Sequence, residues 1–159
     1  MEDADRQIEL DVYMRAFTPD AARRRQEAML ERMRELRDRG LVEAVSVTRW
    51  SNQVSVSRAR DREQPVGVET YRELDAATDG TELSIEPFFR ERSGAGGNRT
   101  VLSLPVLCVA IRRDGEITGV YPCSAPDGSY SVTDCLDALA SGDDVENVAE
   151  DVVLDPEPV

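Results

Sequence analysis

Lysine and histidine are absent from this 159-residue chain, so all 19 basic residues are arginine, set against 32 Asp and Glu for a formal net charge of −13. Without histidine there is no Ser-His-Asp or Cys-His nucleophile, no imidazole base and no His-ligated metal site. Cysteine is sparse and odd in number: Cys108, Cys123 and Cys135 lack C-x-x-C spacing, so a structural zinc site is not expected. The stretch Gly94-Ala95-Gly96-Gly97 neither follows a strand nor opens a helix, as a phosphate-cradling loop requires. The chain is therefore expected to be non-catalytic, with no cofactor and no metal. No apolar run approaches the roughly 20 residues that cross a bilayer, and no basic-then-apolar leader opens the sequence. A cytoplasmic protein without a membrane partner is expected.

Aromatic residues amount to only 5% of the chain, which leaves the core to Val, Leu, Ile, Ala and Met. The acidic surplus would cost self-repulsion in dilute solution, but at 1 M salt charges are screened over about 3 Å. Acidity of this order suits a salt-rich cytoplasm, where it maintains solubility. Complete use of Arg in place of Lys fits a halophile of high GC content. The net charge then describes the solvent and does not by itself imply a basic partner.

Residues 8 to 15 alternate strictly, with Ile8, Leu10, Val12 and Met14 on one face, which predicts a half-buried strand. From Thr18 to Gly40 the spacing of Met29, Leu30, Met33 and Leu36 predicts a helix of about five turns. Thr18 is its expected cap, Pro19 its first residue and Gly40 its left-handed stop. "LVEAVSVTRW" and "QVSVS" return to a period of two, completing a strand-helix-strand unit whose strands should be parallel. Residues 57 to 65 read as a charged loop. Val68, Tyr71 and Leu74 then give a second helix, stopped at Asp79-Gly80. A short strand through Leu83 and Ile85 and a flexible loop at 94 to 98 come next.

The most organised stretch is "TVLSLPVLCVAIRRDGEITGVYPC", two apolar runs about Asp114-Gly115 and a strong hairpin signal. Ser131 caps a last amphipathic helix with Val132, Cys135, Leu136 and Leu139 as its stripe and Gly142 as its stop. The fold class expected is α/β, a single domain over residues 1–142 ordered strand-helix-strand-helix-hairpin-helix. Residues 143–159, with seven acids and no basic residue, are expected to be a disordered tail.

That order resembles the thioredoxin fold, most specifically at "LPVLCVAIRRDGEITGVYPC" followed by "SVTDCLDALASG". The resemblance implies that Pro105 occupies the place of the family's proline, usually cis, before the first hairpin strand. It also implies an extra strand or hairpin between Leu83 and Ser103, a segment longer than the comparison needs. Thioredoxins carry a cysteine pair between their first strand and first helix, whereas this chain has "RAFTPDAA" there, so the dithiol mechanism does not transfer. A ferredoxin-like sandwich and a winged helix are the alternative folds. Over residues 8 to 142 the chain is also similar to a group of small, acidic proteins of halophilic archaea, some of them labelled helix-turn-helix. That likeness rests on "RRQEAMLERMRELRDRGLVEAVSVTRW", "EPFF", "LPVL" and "VTDCLDAL" and implies no activity.

Three sets of candidate residues follow. Cys123, at a strand end beside Pro122, is the best reactive thiol, and Cys135 is its candidate redox partner; core packing is the simpler reading of Cys108 and Cys135. Residues 15 to 39 hold eight Arg against five acids, a local net of +3, so Arg23, Arg24, Arg25 and Arg32 are candidate phosphate contacts. A solvated face laced by pairs such as Glu31 with Arg34 and Glu35 with Arg39 is favoured over that reading. Trp50, Phe88 and Phe89 are candidates for an apolar recognition surface, with core packing the favoured reading. The function expected is a protein-binding interaction module. A DNA-binding regulator is the first alternative, disfavoured because phosphate affinity falls steeply with salt, and a thiol redox protein using Cys123 is the second. The oligomeric state is left open.

Overall fold

Alternation of apolar residues forms the first strand, β1 (Glu9–Arg15), with Leu10, Val12 and Met14 on one face and Tyr13 on the other. A computed structural model describes residues 8–56, 66–86, 88–93 and 100–148. The expected loops at 57–65 and 94–98 and positions 149–159 of the expected tail lie outside the described residues. β1 is an inner strand and is covered on both faces rather than one, since Leu10, Val12 and Met14 enter one core cluster and Tyr13 the other.

α1 (Asp20–Asp38) follows with Leu30, Met33 and Leu36 buried. Its start corrects the expected cap: Pro19, in extended conformation, takes the N-cap position, and no side chain caps the helix. Its end is as expected. Gly40, at φ +81, donates to Arg37 O (2.9 Å), and Leu41 donates to Leu36 O (2.9 Å), the two-bond left-handed termination that glycine permits. The chain then enters β2 (Ala44–Trp50), parallel to β1 with Leu10 opposite Val45 and Val12 opposite Val47. β3 (Gln53–Val56) leaves for another sheet, and α2 (Val68–Thr78) stops before Asp79-Gly80.

Pro105 marks the main departure from the expected hairpin. The apolar run around it is not one strand: β5 (Thr100–Ser103) pairs with β3 and with β4 (Arg90–Ser93), while β6 (Leu107–Arg113) pairs with β1. Residues 104–106 cross between the sheets, where a residue without an N–H leaves no donor unpaired. The extra strands expected between Leu83 and Ser103 are present as β4 and β5, while Leu83 and Ile85 flank an isolated bridge from Ser84 to Ser124. The cis bond among the described residues is Tyr121–Pro122 and not Leu104–Pro105.

β6 turns into β7 (Glu116–Tyr121) through Asp114 (φ +56) and Gly115 (φ +84), the two left-handed residues of a tight hairpin. A small hairpin of β8 (Cys123–Ala125) and β9 (Gly128–Tyr130) leads to α3 (Val132–Ser141). There Ser131 and Asp134 cap each other's backbone, and Gly142 (φ +80) ends the helix.

The main sheet has the order β2-β1-β6-β7, with β1 and β2 parallel and β6 antiparallel to both its neighbours. α1 and α3 pack on one face. The other is covered by α2 and the three-stranded sheet β3-β5-β4. The molecule is thus one mixed α/β domain, in which the expected order of strand, helix, strand, helix, hairpin and helix is kept and further strands are added. Its boundary differs from the expected one. Residues 143–148 belong to the domain: Val145 is buried, Val148 donates to Thr118 O (2.9 Å), and the Asn147 side chain bonds both backbone groups of Val120 (3.0 and 3.2 Å). Gly119 permits this closure, since a Cβ there would stand 2.8 Å from Val145 O.

Candidate functional site

The parallel strands β1 and β2 end side by side, and in open α/β sheets the carboxyl ends of such strands are where ligands bind. Here the crossing segment 104–106 is fastened over them. Arg15 donates from its backbone to Val106 O (3.1 Å) and from Nε to Leu104 O (2.8 Å), Trp50 Nε1 donates to Pro105 O (3.0 Å), and Ala16 donates to Trp50 O (2.8 Å). Gln26, buried within α1, donates from Nε2 to both Arg15 O (3.2 Å) and Val106 O (2.9 Å). All three carbonyls of the segment are thereby satisfied, which a buried polar backbone requires. From this fixed base the β1–α1 turn holds Phe17 out to solvent at 80% exposure.

The arginines of α1 divide. Arg32 is drawn across to Asp137 of α3 at 2.9 Å, and Arg23 pairs with Asp20 at 3.2 Å within the first turn. Arg24 and Arg25 are exposed and have no ion pair among the described residues. The pairs expected along the helix, Glu31 with Arg34 and Glu35 with Arg39, are not formed either; Arg37 instead meets Asp38 at 3.7 Å.

A family model described as a helix-turn-helix domain matches residues 2–144. The chain belongs to this helix-turn-helix domain family. No curated protein and no solved structure matches it. Among the described residues of this family member no helix is followed directly by another: β2 follows α1, β4 follows α2, and α3 comes last. Of the candidate phosphate contacts, Arg23, Arg24 and Arg25 stand exposed near the start of α1, and the helix that packs beside α1 is α3, far along the chain.

Neither the thiols nor the aromatic candidates are surface groups in this helix-turn-helix family member. Cys108, Cys123 and Cys135 are free and buried. Burial pushes the Cys123 thiol up to about 11, although Asn147 Nδ2 hydrogen-bonds its sulfur at 3.5 Å and acts in the opposite direction. Burial, with Asp134 adding to it, pushes Cys135 up to about 12, and burial raises Cys108 too. Each stays a neutral thiol at pH 7, whereas nucleophilic and redox cysteines act as accessible thiolates. Cys123, the expected reactive thiol, is enclosed: it lies in β8, paired with Tyr130 of β9, and Asn147 reaches its sulfur.

Trp50 and Phe89 are also buried rather than presented for recognition. Trp50 stacks on Tyr13 (centroids 5.0 Å) and meets Phe89 edge-on (5.7 Å), while Phe88 packs half-buried on the same cluster. Two features escaped the sequence reading. Phe17 lies between the strand and helix patterns, so its exposure had no periodic signal. Gln26 did have one: it stands four residues before Leu30 and seven before Met33, a polar side chain on the apolar stripe.

A cavity of about 470 Å³ is lined by Glu82, Leu83, Tyr121, Tyr130, Asp144 and Asn147 among others. Among the described residues its charged lining is all carboxylate, with Tyr130 donating to Asp127 at 2.8 Å, and no basic side chain there holds an anion. Among the described residues no group of three or more Cys, Asp or Glu is arranged to hold a metal ion, and no helix is long and apolar enough to cross a membrane.

Proposed function

We propose that this domain is a non-catalytic interaction module of thioredoxin-like arrangement that docks a protein partner at the β1–α1 turn, in the cytoplasm of a salt-adapted archaeal cell. The observation that carries this reading is Phe17, an aromatic side chain 80% exposed on a turn whose base is held by six side-chain and backbone bonds to and beside segment 104–106. A rigid aromatic anchor loses little freedom on binding and is the kind of residue on which interfaces concentrate their affinity. The order β2-β1-β6-β7 supports the thioredoxin-like comparison, in which this turn is where the cysteine pair would stand. Here Phe17 and Thr18 take its place, so the position is retained for contact without thiol chemistry. The composition of 32 acids, 19 arginines and no lysine supports a salt-rich setting. Affinity capture in concentrated salt with the native chain and with Phe17→Glu tests the reading. A protein retained by the first and lost from the second is expected; equal recovery by both overturns it.

A second reading, a DNA-binding regulator, draws support from the helix-turn-helix domain family and from Arg24 and Arg25, exposed and without an ion pair among the described residues. It ranks second because the helix pair that would enter a groove is missing among the described residues and the chain as a whole carries −13. Gel shifts on random genomic fragments over a salt series separate the two. Binding that steepens as salt falls and weakens in Arg24→Ala/Arg25→Ala would reverse the ranking.

A further inference from the structure

The two edges of the main sheet are finished differently. Residues 145–148 close the outer side of β7 with the backbone bond from Val148 to Thr118 and the Asn147 amide on Val120. The outer side of β2 has no strand partner among the described residues. β2 is seven residues long and contains no proline and no register shift against β1. Four consecutive residues, Ser46 to Arg49, are exposed, and Val47 is 38% exposed although it sits on the face that α1 and α3 cover. An open, regular edge with an apolar residue on it is a template for another strand.

We propose that this edge pairs with the same edge of a second copy of the chain, antiparallel about a two-fold axis at Ser46, joining two four-stranded sheets into one. The occupant is identified by self-complementarity. With Ser46 on the axis, Ala44 lies opposite Thr48, Val45 opposite Val47, and Glu43 opposite Arg49. Each pair projects to a single face of the joined sheet, and the two-fold makes every contact twice. Val47, left uncovered by α1, is stacked on Val45 of the other copy, whose side chain already packs on the first core.

Glu43, in line with the strand through its bond to Ile8 O (2.7 Å), and Arg49 are both exposed and lack an ion pair among the described residues. In the dimer each gains an opposite charge directly across the strands. A slip of two residues, the smallest that keeps the faces matched, sets Arg49 against Val45 or Leu41 and separates the charges. The register is therefore specified by the sequence of the strand itself.

Sedimentation velocity on the full chain from roughly 1 to 300 µM, a range suited to an interface below standard size, reads the association. A mass of twice 17.6 kDa is expected to appear within that range. Arg49→Glu places two like-charged pairs across the axis and is expected to weaken association about tenfold or more. The exchange Glu43→Arg/Arg49→Glu restores opposite charges in this register alone and is expected to return association to within about threefold of the native chain. Both positions are exposed, and a native circular dichroism spectrum confirms that each variant is folded. Three results would overturn the proposal: a native chain that stays at 17.6 kDa throughout, Arg49→Glu associating as the native chain does, or a folded double variant that does not recover.

Discussion

The face of the main sheet under α1 and α3 is filled chiefly by Leu, Val and Met, whereas the opposite face is organised around the rings of Tyr13, Trp50, Tyr71 and Phe89. On the first face each element brings its own stripe: Leu10, Val12 and Met14 from β1, Leu30, Met33 and Leu36 from α1, Leu136 and Leu139 from α3. On the second, few large side chains arrive from segments far apart in the chain. Phe89, Leu102 and Leu104 come from the inserted strands and their connections, and they meet Trp50 at the end of β2. The difference teaches where stability concentrates. Many small contributions hold the aliphatic face, so the loss of one is buffered, while the aromatic face depends on a few rings.

The sharpest way to break the contrast is to truncate one side chain on each face. Phe89→Ala, at a fully buried ring, is expected to cost about 3–5 kcal/mol, and Leu136→Ala, equally buried, about 2–4 kcal/mol, measured as shifts in urea midpoint. A Leu136 cost above that of Phe89 would mean that the aliphatic face carries the greater share. Gly119→Ala is next in size. Its Cβ would meet Val145 O at 2.8 Å and Ile111 Cδ1 at 3.0 Å, so a loss of about 1–3 kcal/mol is expected. Faster amide exchange at Val148 should accompany it, as segment 145–148 is forced off β7. Ser131→Ala removes the hydroxyl that accepts from Asp134 N–H and is expected to cost about 1 kcal/mol.

The smallest effect sharpens the comparison electrostatically. The Arg112 guanidinium, which also bonds Asp11, holds the Glu73 carboxyl below its usual range through two hydrogen bonds. Arg113 does the same for Glu146, which also accepts from Thr118 Oγ1 at 2.9 Å. A lowered folded pKa contributes stability above the unfolded value, about 4.3 for Glu, that is lost as pH falls through the folded value. Urea midpoints should therefore drop below about pH 4.3, by about 1 kcal/mol or less for each pair. Glu146→Gln should remove part of that acid dependence while leaving the rest to Glu73.

Legibility followed the same division. The Asp114-Gly115 turn, the capping serine at 131 and the stripe of α3 were readable because turn geometry and helix periodicity are local. The aromatic face was less legible. Core was the favoured reading of Trp50 and Phe89, but a recognition role stayed open because the strands that bury them are short and separated by some fifty residues of chain. Cys123 looked like the best reactive thiol for the same reason, since what meets it includes Asn147 from a segment that composition alone assigned to a disordered tail.

The sequence by itself determined the first strand-helix-strand unit with its parallel strands, the second and last helices, the Asp114-Gly115 turn, and the lack of histidine and of a C-x-x-C pair. Each of these is a matter of spacing or of residues present and missing. Only the tertiary structure decided that Pro105 separates two sheets, that the three thiols and two large rings are interior, that residues 143–148 seal β7, and that Phe17 and the edge of β2 remain outside. Those outcomes depend on which distant backbone groups and side chains meet, and a contact between remote segments has no period in the sequence to announce it.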